Sequence, residues 1–234
     1  MDRLIDLRSV HVRLDDRDVL HDVTLQSNAM RIGIVGRNGS GKSTLARALA
    51  GLVDLESGRV HIAGVDVHRD RRGALGAVGL LFQNPDHQII FPTIEEELGF
   101  GLERMGLGRD ARQAQVAAIL ERFGWRDWGP RAIESLSQGQ RQLVCLMAIL
   151  AMEPRVIVLD EPFTGLDIPT RMRLDRALLG IDATLVLISH EPDDLRKCGH
   201  ILWLEDGRDT AAGPPAPILA AYEARMRDIG SLDG

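Results

Sequence analysis

The stretch "GRNGSGKST" at residues 36–44 decides the fold, because it directly follows the compact apolar run "RIGIV" at Arg31–Val35. It fits the P-loop pattern, in which glycine-rich backbone between a strand and a helix curls its N–H groups around phosphate oxygens. The start of the helix adds a favourable partial positive charge. The predicted phosphate-binding residues are Gly36, Arg37, Asn38, Gly39, Ser40, Gly41, Lys42, Ser43 and Thr44.

Three side chains of this loop have distinct expected tasks. Lys42 reaches the β- and γ-phosphates, the Ser43 hydroxyl ligates Mg²⁺, and Thr44 bonds an α-phosphate oxygen. A glycine-rich turn without a ligand is the alternative, which the strand before the loop and the helix after it disfavour.

The rest of the chain alternates between short apolar runs and helical patterns, which predicts an α/β fold: a mainly parallel sheet with helices on both faces. The first 30 residues instead predict short antiparallel strands joined by Asp-rich turns. Further strands are expected at 59–63, 78–82, 155–159, 184–189 and 201–204, and helices at 42–52, 94–128 (broken at 106–108) and 137–152. We expect one nucleotide-binding domain at 1–212, with a helical subdomain at about 84–152, and a short helical tail at 213–234.

Composition narrows the partners. The chain has 234 residues and a formal net charge of −6, whereas non-specific nucleic-acid binding needs a basic surface. Its longest apolar run, at 143–152, is about half of what a membrane-spanning helix needs. The N-terminus is charged and does not resemble a signal peptide. Any membrane association is therefore expected to run through a protein partner.

Cys145, inside the apolar run, is expected to be a buried thiol.

The stretch "VIVLDE" at 156–161 brings two carboxylates to the end of an apolar strand, the edge at which ligands bind in open α/β sheets. Asp160 is suited to hold Mg²⁺, through water. Glu161 is placed to polarise an attacking water. Acidic residues often end strands, so only the P-loop upstream makes this pair informative.

The stretch "ESLSQGQR" at 134–141 predicts a second anion site at a helix start, with Ser137 as the N-cap and Gly139 allowing close approach. One P-loop already serves the ATP of its own subunit. A second phosphate-binding helix start therefore suggests contact with the ATP of another subunit. An ordinary capped helix is the alternative.

These motifs together resemble the ATP-binding cassette ATPases over residues 3–212: the P-loop, "LSQGQ" about twenty residues before "LDE", "GLD" at 165–167, and His190 after a strand. The resemblance implies that Gln83 senses Mg²⁺ and the attacking water, and that His190 contacts the γ-phosphate. It implies that the partner subunit's ATP is contacted by the signature residues Ser137, Gln138, Gly139 and Gln140, and that Asp167 lies at the subunit interface.

Two positions depart from that family's pattern. Gln138 replaces the first glycine of the usual Leu-Ser-Gly-Gly-Gln, so altered contacts are expected there. Leu14 stands where an aromatic residue often stacks on adenine, which leaves the preference for ATP over GTP open.

The stretch "FQNPDHQIIFPTIEEELGFG" at 82–101 is similar to the ATPases of energy-coupling factor transporters, importers of vitamins and transition-metal ions. Within that group it looks most like the biotin-uptake subunit, with a cobalt or nickel importer as the alternative. The resemblance implies a peripheral protein at the cytoplasmic face of the cell membrane, docked through Ile89 to Glu97 on a transmembrane coupling subunit and only indirectly linked to the substrate-binding membrane subunit. A head-to-tail homodimer is expected, and a heterodimer with a second ATPase stays open.

Other classes fit less well. A P-loop kinase or GTPase would lack residues 137–140 and His190. The ATPases of DNA maintenance usually insert coiled coils or zinc modules between the P-loop and the signature, whereas Thr44 to Ser137 is short and continuous here. The sequence therefore favours a transport ATPase without nucleic-acid partners.

Overall fold

The computed structural model describes residues 4–232. Residues 1–3 of the predicted cassette domain and 233–234 of the predicted tail lie outside the described residues. The strands are β1 (Ile5–Leu14), β2 (Arg17–Ser27), β3 (Arg31–Val35), β4 (Ser57–Ile62), β5 (Val65–Asp66), β6 (Val78–Leu81), β7 (Val156–Asp160), β8 (Thr184–Ser189), β9 (His200–Glu205) and β10 (Arg208–Gly213). The helices are α1 (Lys42–Leu49), α2 (Arg71–Ala77), α3 (Ile94–Arg104), α4 (Arg109–Arg122), α5 (Gln138–Ala151), α6 (Ile168–Leu179), α7 (Pro192–Leu195) and α8 (Pro215–Leu232).

A six-stranded sheet with the order β10-β9-β3-β8-β7-β6 carries the predicted motifs. The five strands from β9 to β6 pair in parallel, and β10 adds an antiparallel edge. β7 is buried along its whole length, which explains why it reads as an unbroken apolar run. Parallel pairing places the carboxyl ends of β3, β6, β7 and β8 at one edge, where the P-loop, Gln83, Asp160 and His190 follow. The predicted α/β fold is confirmed.

A second sheet, with the order β2-β1-β4-β5, is antiparallel and covers the face of α1. β1 turns into β2 at Asp15 and Asp16, which both have positive φ (45° and 62°). Asp tolerates this left-handed conformation better than most residues do. The Asp-rich turn expected from the sequence is therefore present.

One apolar cluster contains residues of both sheets and of α1. The helices α3, α4 and α5 pack around a second apolar cluster. Cys145 on α5 is fully buried, as predicted, and burial raises the pKa of its thiol. No helix within residues 4–232 combines the length and apolarity that crossing a bilayer requires.

The structure corrects two helix ends. The helix expected at 42–52 stops at Leu49, with Gly51 in a left-handed conformation (φ of 69°) just beyond it. The helix expected to continue to residue 128 stops at Arg122, because Gly124 adopts a left-handed conformation with φ of 71°. A glycine in this conformation just after the last turn is a common helix stop. The chain then continues through Trp125 and Trp128, which stack with ring centroids 4.2 Å apart.

Candidate active site

The P-loop bridges the end of β3 and the start of α1. Gly41 is the N-cap of α1 with φ of 97°, a backbone conformation that favours glycine. A Cβ on Gly36 would lie 2.3 Å from the Leu204 carbonyl oxygen, so only glycine fits against β9. The loop keeps its shape because both positions exclude larger residues.

Lys42 points back into this loop. Its Nζ donates to the carbonyl oxygens of Gly36 and Arg37, both at 2.8 Å, and lies 3.7 Å from Glu161 Oε1. The side chain is only 5% exposed, and burial lowers its pKa. A buried ammonium needs such partners, since its desolvation is otherwise costly.

Glu161 is the point at which distant parts of the chain meet. Its Oε2 lies 3.0 Å from His190 Nδ1, 3.2 Å from Thr164 Oγ1 and 3.5 Å from Gln83 Nε2. Its backbone has φ of 47°, which is unusual for a residue with a side chain and is found mainly where the surroundings impose it. The structure thus brings together the three residues predicted to be catalytic, Glu161, His190 and Gln83.

Asp160, the residue before Glu161, is buried and incompletely satisfied. The nearby Ser43 hydroxyl favours its charged form, and its Oδ1 has no hydrogen-bond partner among the described residues. Burial raises the pKa of this carboxyl. A hydroxyl and a carboxylate oxygen side by side, one of them with free acceptor capacity, form a donor set that suits Mg²⁺.

The signature residues lie apart from this cluster. Ser137 caps α5: its backbone N–H donates to Gln140 Oε1 at 2.8 Å, and its Oγ accepts from the Gln140 N–H at 3.3 Å. Within residues 4–232, no hydrogen bond or ion pair joins residues 137–140 to the P-loop, Asp160, Glu161 or His190. These residues are exposed or half-buried at the helix start.

The replaced signature glycine, Gln138, stands on an exposed first turn, so its side chain has room. A Cβ added to Gly165 would be 3.9 Å from Gln138 Nε2, which places this amide beside the loop before α6. Gly139 is more confined: a Cβ there would lie 2.4 Å from Thr170 Cγ2.

Asp167 has a local partner in its own chain. As the N-cap of α6, its carboxylate accepts from the Thr170 N–H at 2.9 Å. Hydrogen bonds from Thr170 lower the pKa of this carboxyl, so the group stays ionised at neutral pH.

The expected docking segment divides into exposed and internal residues. Ile90 is 69% exposed, whereas Ile89 packs partly against the second core cluster. Glu97 is buried, and its Oε2 accepts from the backbone N–H groups of Ile90 and Phe91, both at 2.9 Å. The expectation that Glu97 contacts a partner therefore needs correction, because its carboxylate already holds the loop.

Two residues near the site were not among those predicted. The Thr164 hydroxyl donates a hydrogen bond to Glu161, and no signal in the sequence marks Thr164 as a site residue. Gln142 on α5 is 3% exposed, and its Nε2 donates to the Phe82 carbonyl oxygen at 3.2 Å. A glutamine on the buried face of an otherwise apolar helix was the available signal for Gln142.

Comparison with known proteins places these features in a family. The family described as "ABC transporter" matches residues 20–164. The "Biotin transport ATP-binding protein BioM" of Rhodobacter capsulatus is 53% identical over 225 residues, covering 96% of each chain. The "Energy-coupling factor transporter ATP-binding protein EcfA1" of Latilactobacillus sakei is 34% identical over 92% of this chain and 78% of its own. The solved structure of cbiO1 from Clostridium perfringens, described as part of the ABC transporter complex cbiONQ, aligns with a TM-score of 0.77 and 26% identity over 99% of each chain.

The buried, half-satisfied carboxylate of Asp160 predicts a conflict between stability and function. We expect Asp160→Asn to raise the thermal midpoint of the nucleotide-free chain by about 2–4 °C, which corresponds to roughly 1 kcal/mol, because the variant removes a buried charge. Differential scanning calorimetry measures this shift. Asp54→Asn, at an exposed carboxylate, is the control and should leave the midpoint unchanged. A midpoint lowered by Asp160→Asn would show that the carboxylate stabilises the empty fold.

Proposed function

Because this chain belongs to the ABC transporter family of ATP-binding proteins, we propose that its ATP hydrolysis powers import of a vitamin, biotin, through an energy-coupling factor transporter. The chain is an ATPase of this family, and the assignment to biotin is supported by its 53% identity to BioM of Rhodobacter capsulatus across nearly the full length of both chains. The proposed division of the chain is a cassette domain at 1–212, with its helical subdomain at about 84–152, and a tail at 213–234.

Glu161 is the proposed catalytic base or water-orienting group. The Nδ1 of His190 holds its Oε2 at 3.0 Å, and Gln83 reaches the same oxygen from the end of β6. This convergence fixes the carboxylate beside the place where the P-loop would present the terminal phosphate. Hydrolysis of this kind depends mainly on positioning and on electrostatic stabilisation of a loose transition state.

Lys42 is the proposed cation for the β- and γ-phosphates. Its present hydrogen bonds go to two backbone carbonyls, with the Glu161 carboxylate 3.7 Å away, and a phosphate forms stronger, charge-assisted hydrogen bonds than the carbonyls do. The backbone N–H groups of residues 36–44 would contact the remaining phosphate oxygens.

Ser43, Gln83 and Asp160, the last through water, are proposed to hold Mg²⁺. The free Oδ1 of Asp160 supports this choice, because the described residues offer it no other partner. When bound, the ion neutralises charge on the phosphates.

A head-to-tail dimer would complete each site. The signature residues 137–140 make no polar contact with the catalytic cluster of their own chain and lie at an exposed helix start. In the proposed dimer they close on the ATP of the partner, with Asp167 at the interface. Because the chain carries a complete set of catalytic residues, two copies of it would form two competent sites, which favours a homodimer.

The proposed docking surface is a groove of about 430 Å³ beside Ile90. Its walls carry acidic, basic and aromatic side chains, among them Glu95, Glu96, Arg112, Arg126, Phe91 and Phe100. The aromatic side chains suit the apolar face of a partner helix, and Glu95 and Glu96 suit a basic side chain on it. The membrane coupling subunit is the proposed occupant, and this contact would hold the chain at the cytoplasmic side of the membrane.

Removal of the Glu161 charge tests the catalytic assignment. We expect Glu161→Gln to lower the rate of ATP hydrolysis by roughly 100-fold or more, because the amide cannot accept a proton from water. ATP binding should persist, as measured by equilibrium dialysis. Glu191→Gln, which alters an exposed carboxylate 3.5 Å from His190 Nε2, is the matched control and should stay close to wild type. Normal turnover of Glu161→Gln would remove Glu161 from catalysis.

Polar replacement of Ile90 tests the docking surface. Ile90→Asn should abolish co-purification with the membrane subunits, because it removes the most exposed apolar side chain beside the groove. Leu52→Asn is the control, since Leu52 is also exposed (56%) but lies in the turn after α1. Both variants should bind ATP normally. Loss of ATP binding by Ile90→Asn alone would mean that Ile90 supports the fold instead.

Uptake by the assembled transporter tests the substrate. In membrane vesicles that contain this chain and its membrane subunits, we expect ATP-dependent accumulation of labelled biotin. The matched vesicles carry the Glu161→Gln chain and should accumulate none. Accumulation of Co²⁺ or Ni²⁺ in place of biotin would support the metal-importer alternative.

A further inference from the structure

The segment that carries Gln83 is held by side chains rather than by the sheet. β6 ends at Leu81, where the ladder to β7 stops at Leu159. Both backbone polar groups of the next residue, Phe82, are taken by side-chain amides: its N–H donates to Gln88 Oε1, and its carbonyl accepts from Gln142 Nε2, each at 3.2 Å. The position of Gln83 therefore depends on these two amides.

Gln142 comes from the signature helix. It lies in the second turn of α5, two residues beyond Gln140 of the capping box, which is about 3 Å along the helix axis. Because its side chain is 3% exposed, water cannot easily replace its amide on the Phe82 carbonyl. A buried amide without a partner is costly, so this contact should persist when α5 moves.

Two neighbouring residues of α5 contact the same segment. Arg141 Nε lies 3.0 Å from Asp86 Oδ1, and the Cys145 thiol lies 4.0 Å from the Pro85 carbonyl oxygen. The Arg141–Asp86 pair is partly exposed and contributes little by itself. Together, however, the three contacts make residues 82–86 follow the first turns of α5.

We infer that Gln142 is a positioning residue for Gln83, and that through it a displacement of the signature end of α5 reaches the Mg²⁺ side of the same chain's site. The inference rests on the proposed role of Gln83. The signature end of α5 faces the partner's ATP in the proposed dimer. Gln142 would therefore link the nucleotide in one site to the geometry of the other.

Gln142→Met tests this link, because methionine has a similar length and no donor. We expect the turnover rate to fall roughly 10- to 100-fold, as small displacements of a catalytic group can produce. The Mg²⁺ concentration for half-maximal hydrolysis should rise several-fold, while ATP binding measured without Mg²⁺ should stay at the wild-type value.

Gln115→Met is the matched control. Gln115 also donates its amide to a backbone carbonyl at 3.2 Å, that of Ala151 at the far end of α5. This variant should lower the thermal midpoint without changing the Mg²⁺ requirement. If Gln142→Met behaves in the same way, its role is only structural and the inference is wrong.

Two further variants keep the test decisive. If Gln142→Met does not fold, Gln88→Met is the alternative. It removes the hydrogen-bond partner of the Phe82 N–H at a half-buried position, and it must raise the Mg²⁺ concentration for half-maximal hydrolysis in the same way. Gln83→Ala distinguishes failure of the Gln142 inference from failure of the proposed role of Gln83. If it shifts the Mg²⁺ requirement and neither Gln142→Met nor Gln88→Met does, only the inference fails. If Gln83→Ala causes no shift, the proposed role of Gln83 fails and the inference fails with it.

Discussion

A cluster of buried charges at the carboxyl edge of the parallel sheet constrains the fold around it. Lys42, Asp160 and Glu161 are each less than a tenth exposed, and together they carry one positive and two negative charges. Burial of ions is costly unless they are paired and hydrogen-bonded. The P-loop carbonyls, Ser43 and His190 supply those partners, and the free Oδ1 of Asp160 leaves capacity for a cation.

This constraint explains several local features that would otherwise be unfavourable. Gly36 must lack a side chain so that the loop can pack on β9, and Glu161 adopts a left-handed backbone conformation so that its carboxylate reaches Lys42 and His190. Backbone strain of this kind persists only where the surrounding structure imposes it. The site is therefore built at some expense to the stability of the empty fold.

The loop after β6 connects the charge cluster to the surface. Its first residues are fastened to α5, and its last residues are fastened to α3 by the buried carboxylate of Glu97. Between these two attachments the loop exposes Gln83, Asn84, Asp86, His87 and Ile90, and Ile90 is the apolar residue among them. A partner on that surface would thus act on a loop with few ways to move, which suits transmission of force to Gln83.

The motifs were predicted well because the P-loop, the strands and the helix cap each depend on residues that are close together in the chain. Arg31–Val35 and Thr184–Ser189 were predicted with the bounds found in the structure, and Ser137 was predicted as a cap. α2 was missed because two glycines interrupt its pattern, although Asp70 caps it. β10 was missed because it is a polar edge strand. The role of Gln142 depends on Phe82, 60 residues away in the chain. Glu97 bonds Ile90 and Phe91, which are close in the chain, but a carboxylate in a first helical turn has an ordinary explanation as helix initiation.

In the proposed dimer each active site is divided between two chains, which can be tested by mixing two inactive variants. Glu161→Gln lacks the catalytic carboxylate but keeps its signature, whereas Ser137→Arg blocks the signature but keeps Glu161. In a head-to-tail dimer of one chain of each kind, one of the two sites has both parts intact. Random pairing of equal amounts should therefore restore about a quarter of the wild-type ATPase activity. A mixture no more active than the two variants measured separately would show that the sites are not shared between chains.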